Sequence, residues 1–287
     1  MLENIINQIV MNLSDTRVAL VIVVFVSQIV TLSIYLPGRW LRYRKALFER
    51  YPAEEYPNLY YQPESVEILR QKIRQGLDWL VASVGIGLIM VALTGEITAI
   101  ELAVTMITFA PVQIFPFFLS RYWGYKNQLL MKKSEGKKIR KASLATRKVK
   151  DFIPLYLVLL AISMYLLTLI VGIWSELNGE TLLTMIGLNT IITIYSIYLM
   201  NKALNAAKDD QFLSAKDRLA QIGKRIRKSI ILSILFSSFI LSILVVTYFG
   251  LGKEIFLIAA SIYFQLIFVI EVNPKIERDF SVYKAGS

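Results

Sequence analysis

The sequence predicts an all-α polytopic membrane protein. Seven transmembrane helices are expected, one N-terminal span plus three hairpins, with the N-terminus outside and the C-terminus cytoplasmic. Three observations predict this. Hydrophobic residues make up 55% of the 287 residues and charged residues 18%, whereas a soluble domain carries about a quarter charged. The apolar residues gather into blocks of about 20, the length that crosses a hydrocarbon core. The 32 Lys and Arg fall almost entirely between alternate blocks.

Residues 1–16 come first. Leu2, Ile5, Ile6, Ile9 and Leu13 recur at helical spacing among Asn4, Asn7, Gln8 and Asn12. This predicts a short amphipathic helix at the membrane surface. Ser14 and Asp15 are suited to capping the next helix. The first span covers 18–36, and Pro37-Gly38 is expected to stop it. Basic residues follow this run rather than precede it, the reverse of a secretory signal peptide, so an uncleaved anchor is expected. The remaining spans are expected at 78–93, 97–119, 152–174, 182–200, 229–249 and 255–270. Thr94-Gly95-Glu96 and residues 250–254 separate two nearly fused pairs, where Gly and charge mark turns.

Orientation follows from the positive-inside rule. Segments 37–77, 120–151, 201–228 and 271–287 hold eight, eleven, eight and three basic residues, thirty in all. The opposite side holds only Arg17 and Lys253. The four basic segments are therefore expected in the cytoplasm. Trp40, Trp79 and Trp123 then fall at the cytoplasmic interface and Trp174 at the outer one. Lys72-Ile73-Arg74, Lys148-Val149-Lys150 and Arg225-Ile226-Arg227 precede the three hairpins at spacings of 76 and 77 residues. The pattern fits either a threefold internal repeat or the basic ends that any series of hairpins needs. One domain is expected, a single bundle over residues 1–287, multi-pass in the plasma (inner) membrane.

The chain has no His and no Cys. Ser-His-Asp and Cys-His catalysis, imidazole or thiolate zinc sites and thiol redox chemistry are excluded. No cofactor, metal site or catalytic residue is expected. No span carries a central Asp, Lys or Arg, the groups that ion- or proton-coupled carriers use. Polar side chains inside the spans are the best pointers left, because each is costly without a partner. Gln28, Gln113 and Gln265 are such residues, and Asn189, Thr193 and Ser196 share one face of span five. Ser229, Ser233 and Ser237 share a face of span six, and Ser233-x-x-x-Ser237 is a small-residue packing pattern, as is Ser83-x-x-x-Gly87 in span two. The candidate intramembrane face is thus Gln113, Asn189, Thr193, Ser196, Ser233 and Ser237. Pro111 and Pro116 predict a kink in span three, either structural or a hinge. They free the carbonyls of Ile107 and Val112, and Gln113 is expected to fill one of these or face a cavity.

On the cytoplasmic side, Lys132, Lys133, Lys137, Lys138, Arg140 and Lys141 form a polybasic stretch expected to hold anionic lipid headgroups. Nucleic acid is not an expected partner, since no aromatic residues interleave the charges. Tyr51, Tyr56, Tyr60 and Tyr61, set among Pro52, Pro57 and Pro63, predict an ordered, non-helical strap. It acts either as a cap on the helix ends or as a docking segment. The expected role is non-enzymatic: a scaffold or accessory subunit of a membrane assembly. Its partners would be lipid and either another membrane protein or a second copy of the chain. The alternative is a permease or channel for a neutral or anionic small solute.

Overall fold

The computed structural model describes residues 2–57, 60, 62–134, 148–175, 179–206 and 215–272. Among them every regular element is helical: α1 (Leu2–Ser14), α2 (Thr16–Ile29), a π-helical turn (Val30–Tyr35), α3 (Leu36–Arg50), α4 (Glu64–Thr94) and α5 (Ala99–Ser134). A short 3-10 turn (Val149–Asp151) precedes α6 (Leu155–Trp174), α7 (Gly179–Ala206), α8 (Ala215–Tyr248) and α9 (Lys253–Glu271). Seven helical segments are long and apolar enough to cross a membrane. By length and composition the chain is a multi-pass membrane protein.

The first span departs from its expected boundary. Pro37 does not stop the helix, which runs from Thr16 to Arg50 over 35 residues. The reason lies in the turn before it. A proline removes one backbone donor and crowds the carbonyl four residues back. In the π-turn the Leu36 N–H reaches back five residues to the Thr31 carbonyl. That wider spacing makes room for the ring, and the chain stays helical. Pro111 and Pro116 likewise lie inside a continuous α5.

The contacts divide the chain into two compact units. The first takes α1 to α5 and α9. Its core is built from Val21, Phe25, Leu102, Met106 and Ile258, with Phe25 and Phe109 edge to face at 6.0 Å. A Cβ on Gly85 would stand 2.9 Å from both Ile29 Cδ1 and Phe109 Cε1. Gly85, not Gly87 of the small-residue pattern, is therefore the point of close approach on α4; a Cβ on Gly87 would meet nothing. Asp15 caps α2 as expected, accepting from the Arg17 and Val18 N–H groups at 2.8 and 3.4 Å. Asn12 on α1 donates to the carbonyls of Ala92, Leu93 and Gly95 at 3.0–3.1 Å. These are orphan acceptors at the end of α4, and Asn12 pins the amphipathic helix to them.

The second unit takes α6, α7 and α8. Ile222, Ile226 and Ile230 of α8 pack with Ile153 and Ala203. Gly172 lets α6 approach Leu182, whose Cδ1 would lie 3.0 Å from an added Cβ. The third expected hairpin is shared out: α8 belongs to the second unit and α9 to the first.

Candidate functional site

Three polar groupings stand out, two of them in the first unit. The deepest is a hydrogen-bonded chain of amides and hydroxyls. Gln28 is fully buried, and its Nε2 donates to Gln113 Oε1 at 2.5 Å and to the Met106 carbonyl at 3.1 Å. Its Oε1 accepts from Ser261 Oγ at 2.6 Å. Gln113 Nε2 donates to Ser33 Oγ at 3.2 Å. Gln265 Nε2 donates to Ser261 Oγ at 3.3 Å, and Gln265 Oε1 accepts from Ser27 Oγ at 3.1 Å. The chain ties α2, the π-turn, α5 and α9 together at mid-span. Gln113 thus bonds neighbouring side chains rather than the carbonyls of Ile107 and Val112.

The second grouping lies in the second unit. Ser237 Oγ donates to Asn189 Oδ1 at 3.0 Å, and the Ser237 carbonyl accepts from Thr168 Oγ1 at 3.2 Å. Thr193 and Ser233 stand 3.4 Å apart. Ser196 is buried. Of the expected intramembrane face, five residues therefore belong to this unit and Gln113 to the first. Asn189 Nδ2 and Ser196 Oγ are buried without a hydrogen-bond partner.

The third grouping sits where the apolar runs of α3, α4 and α5 give way to charge. Glu67 is buried and takes an ion pair from Arg44, another from Arg70 at 3.2 Å, and a hydrogen bond from Asn127 Nδ2 at 2.7 Å. Arg70 also donates to Asn127 Oδ1 at 3.1 Å. One helical turn further along, Arg74 pairs with Asp78 at 3.5 Å. The Arg74 guanidinium lies 3.8 Å from the centroid of Trp40, and that of Arg44 lies 5.3 Å from the same ring. Beside them is a cavity of roughly 190 Å³ lined by Trp40, Gln71, Arg74 and Asp78, with Pro37 and Leu41 as apolar wall.

No known protein family, curated protein or solved structure matches the chain. Its sites are therefore read from their own geometry.

Glu67 is saturated by cationic and amide donors, which suits a structural clamp better than proton transfer. Asp78 lies eleven residues beyond Glu67 on α4, roughly 16 Å at 1.5 Å per residue. Two carboxylates that far apart cannot share one substrate bond. Among the described residues no group of three acidic side chains gathers to hold a metal.

The tyrosine strap is ordered where described. Tyr51 is buried, its ring edge-on to Tyr56 at 5.1 Å. Tyr60 stacks on Phe48 at 5.2 Å, and its hydroxyl donates to the Tyr51 carbonyl. Tyr61 lies outside the described residues. So do Lys137, Lys138, Arg140 and Lys141, and the side chains of Lys132 and Lys133.

Sequence reasoning singled out the glutamines but not their joining hydroxyls, Ser33 and Ser261. It also passed over Glu67 and Asp78 as site residues and read Arg74 only as one of the basic residues before a hairpin. A signal for these was present: an acid and an arginine at (i, i+3) and (i, i+4) spacing just before an apolar run.

Proposed function

We propose that the chain is a non-enzymatic component of a membrane assembly, acting as scaffold or accessory subunit. The observation that carries this reading is the self-contained amide and hydroxyl chain of the first unit. Gln28 and Gln113 bond each other, and with Gln265 they spend their remaining hydrogen bonds on Ser27, Ser33, Ser261 and Met106. A solute path needs polar groups that offer bonds to the solute; these hold helices together. The separation of Glu67 and Asp78 fits the same reading against a lipid-modifying enzyme. Ile191, Ile194, Tyr195 and Tyr198 of α7 are exposed, leaving a broad face for lipid or a partner. The proposed setting is the plasma membrane, with the four basic segments in the cytoplasm, as the thirty-to-two distribution of Lys and Arg directs.

The second reading is a permease or channel for a neutral or anionic solute. The unpartnered Asn189 Nδ2 and Ser196 Oγ favour it. The test is extraction of the tagged chain in gentle detergent, followed by mass spectrometry and native mass measurement. A membrane partner at fixed stoichiometry, or a defined homo-oligomer, is expected. A solitary chain that moves solute in proteoliposomes would reverse the order of the two readings.

A further inference from the structure

The cavity beside Arg74 has a feature the scaffold reading does not use. Arg74 is 3% exposed; its Nε faces Asp78 Oδ2 at 3.5 Å, and its Nη1 has no hydrogen-bond partner. Gln71 Nε2 is also buried and unpartnered, and Gln71 lies one turn away on the same face of α4. Both residues line the cavity. Buried donors are rarely left unused, and a guanidinium least of all. Stacking on Trp40 accounts for the face of the guanidinium and Asp78 for its Nε, but neither accounts for Nη1.

Charge points the same way. Arg44, Arg70 and Arg74 meet Glu67 and Asp78, which leaves one positive charge uncompensated in a shielded cluster. The rest of the cavity wall is mostly apolar, with Ile34, Pro37, Leu41 and Trp79, and carries Ser33, Gln75 and Asp78 as its other polar groups. The cluster lies where the charged part of α4 meets its apolar run, the depth of a headgroup. A ligand that fits has one negative charge, several acceptor oxygens and an attached apolar chain.

We propose that this cavity is a specific site for one anionic phospholipid. Its phosphodiester accepts from Arg74 and Gln71, and its glycerol and acyl end lies along Pro37 and Leu41. Asp78 keeps Arg74 in place and limits the site to a single anion. The site differs from the polybasic stretch at 132–141, which would attract many lipids at once. It is independent of whether the chain is a scaffold or a permease.

The experiment uses the full chain, purified in dodecyl maltoside and titrated with short-chain phosphatidylglycerol. Thermal midpoint and tryptophan fluorescence are followed. A saturable response is expected, with one lipid per chain by native mass spectrometry. Arg74→Gln should weaken the Kd by about tenfold or more, the size of a lost charge-assisted hydrogen bond. A Cβ on Gly38 meets nothing, so Gly38→Leu can fill the cavity without touching the charges. It should weaken binding even if the Arg74 variant fails to fold. Replacing Lys137, Lys138, Arg140 and Lys141 by Gln should leave this Kd unchanged. An equal response to short-chain phosphatidylcholine would overturn the proposal. So would full occupancy by inorganic phosphate alone, or loss of binding in the polybasic variant with none in Arg74→Gln and Gly38→Leu.

Discussion

Gln28 makes three hydrogen bonds at a depth where water cannot replace any of them. Interhelical bonds of this kind average about 0.6 kcal/mol and reach about 1.7 kcal/mol. Removing the side chain also strands Gln113 Oε1 and leaves the Ser261 hydroxyl without its acceptor, which raises the cost of the deletion above the sum of the bonds. Gln28→Ala should therefore destabilise the first unit by about 1–3 kcal/mol. Gln265, at the end of the chain and bonded to the exposed Ser27, should cost less as Gln265→Leu. Thermal unfolding in detergent ranks the two; no loss at Gln28 would mean that the amide chain contributes little, and an equal loss would mean that its end counts as much as its centre. The amides were legible as costly residues, but their pairing was not. Gln28 and Gln113 are 85 positions apart, and Gln28 and Ser261 are 233 apart. No periodicity links such distances; only the packing of α2 against α5 and α9 does. Serine is cheap enough in a span to pass unnoticed until its partner is seen.

Among elements, the contact between α4 and its neighbours depends on one missing Cβ. Gly85→Val would push atoms into Ile29 and Phe109, so a loss of roughly 1–3 kcal/mol is expected from overpacking. The same change at Gly87 meets open space and should leave the thermal midpoint almost unmoved. Both positions read alike as small residues in a helix; which one faces the core depends on the rotation of α4, which bonds to Asn12 near one end and, through Glu67, to Arg44 and Asn127 near the other. The strap makes the opposite case. Four tyrosines among prolines announced an ordered non-helical segment, and Tyr51, Tyr56 and Tyr60 are packed as that composition implies. Changing Tyr56 and Tyr60 together to Ser removes one stacked and one edge-on ring pair and the Tyr60 hydroxyl bond. The midpoint should fall, and added protease should cut between residues 51 and 63 faster than in the wild type. A strap already cut quickly in the wild type, with no change in midpoint, would mark it as a loose tether.

For the molecule as a whole, the spans were the most legible feature, because length and apolar content are properties of a single segment. The expected stop at Pro37 failed because a proline's effect depends on the turn before it, and a π-turn carries no strong sequence mark. The division into two units was not legible either. It rests on α9 joining helices laid down much earlier in the chain. Orientation is open to a direct measurement. Single cysteines at Asn178 and Ser134, in a chain that has none of its own, should label from opposite sides of intact cells, Asn178 from outside. Labelling of both from one side would refute the arrangement of spans drawn from the basic residues.

The first unit is assembled from both ends of the chain, with α6 to α8 inserted between α5 and α9. During translation its core is incomplete until α9 leaves the ribosome. Between Ser134 and Lys253 lie well over a hundred residues, which take roughly 6–24 s to synthesise at 5–20 residues per second. Through that interval Gln28 and Gln113 have each other but not Ser261, and Ile258 is missing from beside Val21 and Phe25. The helices of the second unit, α6 to α8, are contiguous in sequence and are all synthesised before α9. A nascent chain at that stage therefore carries the helices of its second unit in full, while its first unit still lacks the contacts that α9 supplies.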